Sequence, residues 1–273
     1  MPAETLNIVG AGLAGSFVER IAAKNKIKTR IFDERNSYAA SPYSENIFSF
    51  GWADRLGHEI AEVSKRVLKD TVQVDEVYFR NKNLIKSYRV QPKNILVDHI
   101  KDSVTAVSDE GVQTQNNGFQ QGATIVCAGA FCNELVPVPS LNSLSGHGLL
   151  FNGTWKKEPM MLMPIPHKHF KVFQFDEDRI WFGDSVAIKH QNYVKNQETY
   201  INKSLNRARE YFGLINPAEI VFGMRPYVGV NAHNPKMGHL ERISRRVWVM
   251  TGGWKMGLMI YPYLAEKFIR EYA

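Results

Sequence analysis

The run Gly10-Ala-Gly12-Leu-Ala-Gly15 constrains this chain more than any other stretch. It follows directly on Leu6-Asn7-Ile8-Val9, a short apolar run of strand type. It leads into Ser16 to Lys24, which reads as a helix with Phe17, Val18, Ile21 and Ala22 on its inner side. A second strand, Thr29 to Phe32, ends in Asp33. Strand, glycine turn, helix, strand and acid in this order are the βαβ unit that binds a dinucleotide. Gly10 permits the tight turn, Gly12 lets backbone N–H groups approach a pyrophosphate, and Gly15 lets the helix pack close to the sheet. The helix N-terminus then faces the phosphates. Asp33, 23 residues after Gly10, can accept hydrogen bonds from the adenosine ribose and disfavours a 2′-phosphate. The fingerprint alone does not separate FAD from NAD.

The 273 residues exceed one ordinary domain and suffice for two. With 44% hydrophobic and 22% charged residues the profile is that of a soluble globular protein. No apolar run approaches the ~18–20 residues of a membrane-spanning helix. The N-terminus lacks the basic and apolar regions of a signal peptide, so a cytoplasmic protein is expected. Cys127 and Cys132 form neither a disulfide framework nor a zinc site and are expected to be buried small residues. The net charge of +7 is spread over scattered clusters such as Lys65, Arg66 and Lys69, or Arg242, Arg245 and Arg246. Each reads as a solvated face, yet the total would also attract the phosphates of a nucleic acid.

Further elements follow from pattern. Asp54 to Lys69 reads as an amphipathic helix, Val72 to Val90 as one or two strands, and Gln91 to Lys101 as a short helix. Ala123 to Cys127 is a buried strand that delivers Ala128-Gly129-Ala130. A β-rich region follows Pro139, then a helix from Thr199 to Phe212, a strand from Arg246 to Met250 and a last helix from Leu258 to Tyr272. No linker interrupts the chain, so two domains would interleave. There is one dinucleotide fingerprint and no convincing Ser/His/Asp set, carboxylate pair or metal-ligand cluster.

Four places in this order resemble the FAD-dependent D-amino-acid oxidase and glycine oxidase family. They are the N-terminal fingerprint with Asp33; Ala123 to Leu135; Gly223-Met-Arg225-Pro226 with Asn234 to Gly238 beyond it; and Thr251-Gly-Gly-Trp-Lys-Met-Gly257 running to Pro262. The resemblance implies an α/β fold: a Rossmann-type FAD-binding domain with an interleaved antiparallel β-sheet (α+β) substrate domain. The FAD domain would comprise 1–40, 95–140 and 220–273, the substrate domain 41–94 and 141–219. FAD would be held non-covalently by Gly10, Ala11, Gly12, Leu13, Ala14 and Gly15, by Asp33 with Glu34 and Arg35, and by Ser41 and Val104. Ala128, Gly129, Arg225 and the run Gly252, Gly253, Trp254, Lys255, Met256 and Gly257 complete that set. The glycines of the last run have a second reading, as the makers of a strand-to-helix turn.

The chemistry so implied is oxidation of a C–N bond, in which hydride passes from the carbon beside a neutral amine to flavin N5 and the imine hydrolyses. Molecular oxygen would reoxidise the flavin. The cofactor does the hard chemistry, which suits the lack of an acid–base set. Lys255 aligns with a basic residue that grips the substrate carboxylate, although lysine lacks arginine's bidentate fork; Arg225 is the second candidate for an anion. His147 and Tyr43 are the other candidate site residues. Departures from the family include Met160 to Met163, where a substrate-side tyrosine is missing, and the bulky loop Ala40 to Glu45. The chain is also shorter than typical members, mostly between Asp33 and Val104, which would leave the flavin more open. An open site and a basic surface suit a large anionic substrate. Similar chemistry belongs to the oxidase domain that trims carboxymethylaminomethyl-uridine in tRNA and to phage thymidine-hypermodification enzymes. The expected substrate is therefore a small amine or amino acid, with a glycyl-type modified base in DNA or tRNA as the alternative, and a non-catalytic flavin-binding protein as the third reading.

Overall fold

The computed structural model describes residues 4–34, 37–41, 47–48, 56–71, 75–80, 84–90, 92–155, 160–165, 168–184, 187–230 and 236–273. The chain begins β1 (Leu6–Val9), α1 (Leu13–Lys24), β2 (Thr29–Phe32) and continues through β3 (Ile47–Phe48), α2 (His58–Thr71), β4 (Asp75–Arg80), β5 (Leu84–Arg89) and one helical turn, α3 (Pro92–Ile95). Next come a meander, β6 (Val104–Val107), β7 (Gly111–Thr114) and β8 (Gly118–Gln121), then β9 (Ala123–Val126) and the long β10 (Leu141–Asn152). β11 (Met160–Ile165), β12 (Lys168–Gln174), β13 (Arg179–Gly183) and β14 (Ile188–Lys189) precede α4 (His190–Lys195) and α5 (Gln197–Phe212). The chain ends with β15 (Glu219–Val228), β16 (His239–Arg242), β17 (Val247–Thr251) and α6 (Gly257–Tyr272).

Two sheets organise the described residues. The first has the order β16-β17-β9-β1-β2, parallel except for β16. Its inner strands β1, β9 and β17 are buried throughout, as parallel strands covered on both faces must be. Leu6 and Ile8 face α1, α2 and α6, where Phe17, Val18, Leu68, Phe268 and Ile269 close the main core. Val9 points the other way, to Phe32 and Val112 under the meander. This is the alternation a strand imposes.

The second sheet runs β14-β10-β13-β12-β11-β4-β5-β3, with β15 pairing β10 along its other edge. Leu149, Phe151, Phe170, Val172, Ile180 and Phe182 face α5 and bury Ala208. The opposite face carries Gly148, Lys171 and Trp181.

β15 hydrogen-bonds to β10 from Glu219 to Val228, and the chain rejoins the first sheet at β16. Ala61, Val67 and Leu68 of α2 pack in the core of the first sheet, and Ser64 Oγ donates to the Met259 carbonyl on α6. The helix expected over 91–101 is only the turn α3; Arg20 on α1 fastens it, its Nε donating to the Ile95 carbonyl at 3.0 Å and its Nη2 to the Asn94 carbonyl at 2.8 Å.

Candidate active site

The carboxyl ends of β1, β2, β9 and β17 open onto one cavity of about 960 Å³, and the face of the second sheet opposite α5 closes it. Ligands bind at this edge of a parallel α/β sheet.

The glycine turn forms its near wall. Gly10 has φ +103°, and a Cβ there would stand 2.6 Å from the Cys127 carbonyl oxygen. A Cβ on Gly15 would stand 1.9 Å from the Gly10 carbonyl oxygen, so α1 can lie against the turn only because that residue is glycine. The Ala11 N–H donates to Asp33 Oδ2 at 2.6 Å, and the Leu13 N–H donates to Ser41 Oγ at 3.1 Å. Gly12 begins α1 with no capping side chain of its own, and the first turn of α1 holds no acid. That end is therefore electropositive and presents N–H groups toward the cavity. Gly10, Ala11, Gly12, Leu13, Ala14, Asp33, Glu34 and Ser41 line the wall; Gly15 stands behind it.

Beyond Asp33 the wall continues through Val104 and two residues with no motif behind them, Asp102 and Ser103. Ser103 donates to Glu34. Asp102 accepts from the backbone and side-chain amides of both Asn116 and Asn117. Burial alone would raise its pKa, but these bonds, with that of Thr114, hold the carboxyl down at about 2.

At the opposite end, β17 passes through Gly252 and Gly253 into a 3₁₀ turn, Trp254–Met256, and then α6. Gly252 has φ +73°. The Gly253 N–H donates to Tyr261 Oη at 3.0 Å, and a Cβ on Gly253 would stand 2.6 Å from Tyr261 Cζ. A Cβ on Gly257 would lie 3.0 Å from the same ring. These two glycines therefore seat a buried tyrosine. Trp254, Met256 and Gly257 line the cavity, and Gly252 and Gly253 stand behind it. Burial raises the Tyr261 pKa, so the hydroxyl stays protonated.

The remaining candidates divide. Ala128 and Gly129 line the cavity between the ends, and Arg225 lines it from β15. His147 is also a lining residue, but its ring serves the helix layer: Nδ1 bonds Tyr193 Oη at 2.9 Å and Nε2 bonds Ser204 Oγ at 2.8 Å. Desolvation lowers its pKa, against the pull of Asp184, so the ring is neutral near pH 7 and both nitrogens are engaged. These bonds make it a strut between β10 and the helices. Tyr43 and Arg35, and the side chain of Lys255, lie outside the described residues. Cys127 and Cys132 are buried, with thiol pKa values raised by burial, that of Cys132 to about 12.

Sequence reasoning missed Lys171 and Trp181, which line the cavity from β12 and β13. Trp181 lies over two glycines: a Cβ on Gly148 would stand 2.6 Å from its Nε1 and one on Gly183 2.1 Å from Cη2. Its ring stacks on Phe173 at 5.1 Å. The signal was present as glycines inside strands, which mark a close approach.

These features fit FAD. The turn has no room for a Cβ at Gly10 or Gly15, α1 begins beside it, and Asp33, an acid that can bond a ribose, sits on the same rim and accepts from the Ala11 N–H. Comparison with known proteins agrees. The family model described as "DAO: FAD dependent oxidoreductase" matches residues 93–270, about two thirds of the chain. The chain belongs to this FAD-dependent oxidoreductase family. The match begins after the glycine turn, so this oxidoreductase carries its dinucleotide fingerprint as independent support. The enzyme's fold is similar to glycine oxidase from Bacillus cereus, at 14% identity and TM-score 0.70 over 96% of each chain. It also resembles FAD-bound L-alpha-glycerophosphate oxidase from Mycoplasma pneumoniae, at 12% identity and TM-score 0.68 over 99% of this chain and 94% of the other. L-proline dehydrogenase from P. horikoshii aligns at 12% identity and TM-score 0.65 over 99% and 95%. No curated protein matches by sequence search. Among the described residues no helix is long and apolar enough to cross a membrane, and no cluster of side chains could hold a metal.

Proposed function

We propose that this flavoenzyme oxidises the C–N bond of an amino acid or N-substituted glycine. The observation that carries this reading is a cavity lined both by the glycine turn and Asp33 and by Arg225, Lys171 and Trp254. FAD held here would supply the two-electron oxidation of the carbon beside the amine, with oxygen as the final acceptor. The chain's own residues hold and orient. The N–H groups of the turn and of α1 hold the pyrophosphate, and Asp33 holds the ribose. Arg225 and Lys255 would bind the substrate's carboxylate and so orient its α-carbon; orientation of this kind is the protein's main contribution. Leu13, Phe131, Met224 and Leu258 add apolar surface to the cavity lining, which would limit water there. The imine then hydrolyses to a carbonyl product and free amine.

The net charge of +7 favours a second reading of the same chemistry, on a glycyl-type group carried by DNA or tRNA. Aerobic turnover separates them. Glycine, sarcosine, D-amino acids, an N-glycyl nucleoside and nucleic acid carrying that group are supplied in turn, and hydrogen peroxide and carbonyl product are measured. The first reading expects peroxide from a free amine with little dependence on salt. Turnover confined to the modified nucleic acid, steeply weakened by salt, replaces it with the second. No peroxide or carbonyl from any amine defeats both.

A further inference from the structure

Trp254 has φ +47°, a left-handed conformation that a bulky side chain rarely adopts. Gly252 and Gly253 precede it, and a third glycine would take this backbone without strain. Strain of this kind persists where the surroundings enforce it, and it clusters at functional sites. The position is telling. Along the first sheet's edge, Asp33 follows β2 and Trp254 follows β17, three strands away in the order β17-β9-β1-β2. At ~4.8 Å per strand that is roughly 14 Å, so Trp254 stands at the end of the cavity remote from the adenosine. Its indole meets Tyr227 edge-on, with centroids 5.4 Å apart at 66°. Tyr227 belongs to β15 in the other sheet and shares a strand face with Arg225, two residues before it. Trp254 and Arg225 both line the cavity.

We propose that Trp254 is the specificity wall of the substrate end: its indole, held by a strained backbone and braced on Tyr227 beside Arg225, limits the size of the group that an anionic substrate carries next to its carboxylate. This rests on the oxidase reading above. The strained backbone sets the indole against Tyr227, on the strand that carries Arg225.

The test uses the FAD-loaded enzyme and three plain carboxylates, acetate, butyrate and phenylacetate, each titrated while the flavin absorption band is followed. Wild type, Trp254→Gly and Trp254→Phe are compared. Glycine fits the left-handed backbone, so this variant keeps the turn, and phenylalanine keeps an aromatic ring. The expected result is a wild type that prefers acetate, and a Trp254→Gly enzyme whose ratio of phenylacetate to acetate affinity rises at least about tenfold, the scale that pocket shape commands for small apolar groups. Trp254→Phe falls between. An unchanged ratio in a flavin-loaded Trp254→Gly enzyme overturns the proposal, as does an equal loss of affinity for all three acids, which would mark a structural role. A wild-type spectrum that no acid perturbs removes the anion site itself, and the oxidase reading fails with it.

Discussion

Asp102 shows how one residue couples the cofactor wall to stability. Its carboxyl is held at about 2 in the folded chain against an ordinary 3.8, so the unfolded chain binds the proton more readily. The stabilisation is complete above about pH 4 and is lost as pH falls from there through about 2. Asp102→Asn should flatten that part of the acid-unfolding curve, measured as melting temperature against pH; an unchanged acid limb would show that the four amide bonds do not hold the charge. At Gly15 the geometry leaves no latitude. A methyl 1.9 Å from the Gly10 carbonyl oxygen must push α1 off the turn, so Gly15→Ala should purify without flavin. The thiols of Cys127 and Cys132 are buried and protonated, and neither should react with a thiol reagent at neutral pH until the chain unfolds.

At the scale of elements, α4 and α5 are tied to β10 through His147. Replacing it with leucine leaves the hydroxyls of Tyr193 and Ser204 without their partner in a buried place, a cost of ~1–3 kcal/mol. Chemical denaturation of His147→Leu should show this loss, with the flavin still bound. A direct substrate contact would instead raise KM at unchanged stability. What the sequence discloses also varies by element. β1, the glycine turn, α1 and β2 were legible because each residue there answers to backbone geometry that its neighbours impose. β10 was legible only over Leu149 to Phe151, its apolar end. Its other half, Leu141 to Gly148, is rich in glycine and serine and becomes strand because β15 pairs with it over ten residues. Lys171 was invisible as a site residue, and Trp181 was marked only by the glycines it covers, because the alternation of β12 and β13 shows two faces without saying which one meets the cavity. The glycines at 253 and 257 were legible as important but not for their reason: the ring they accommodate belongs to Tyr261, on the helix that follows.

For the whole molecule, one cavity joins the two sheets, so loading it should stabilise both together. FAD at a hundred times its dissociation constant adds ~2.7 kcal/mol to a chain that binds it only when folded. The family match covers 93–270, and the glycine turn and Asp33 lie before it; the fold brings both to the same rim. The decisive measurement is the flavin absorption spectrum of the purified protein under anaerobic conditions as glycine, sarcosine, D-amino acids and glycyl-modified nucleic acid are added in turn. C–N oxidation of a free amine predicts a yellow protein whose flavin band bleaches with a free amino acid or N-substituted glycine. A yellow protein that no amine bleaches would rule out C–N oxidation, and a colourless one that takes up no FAD would rule out a flavoenzyme altogether.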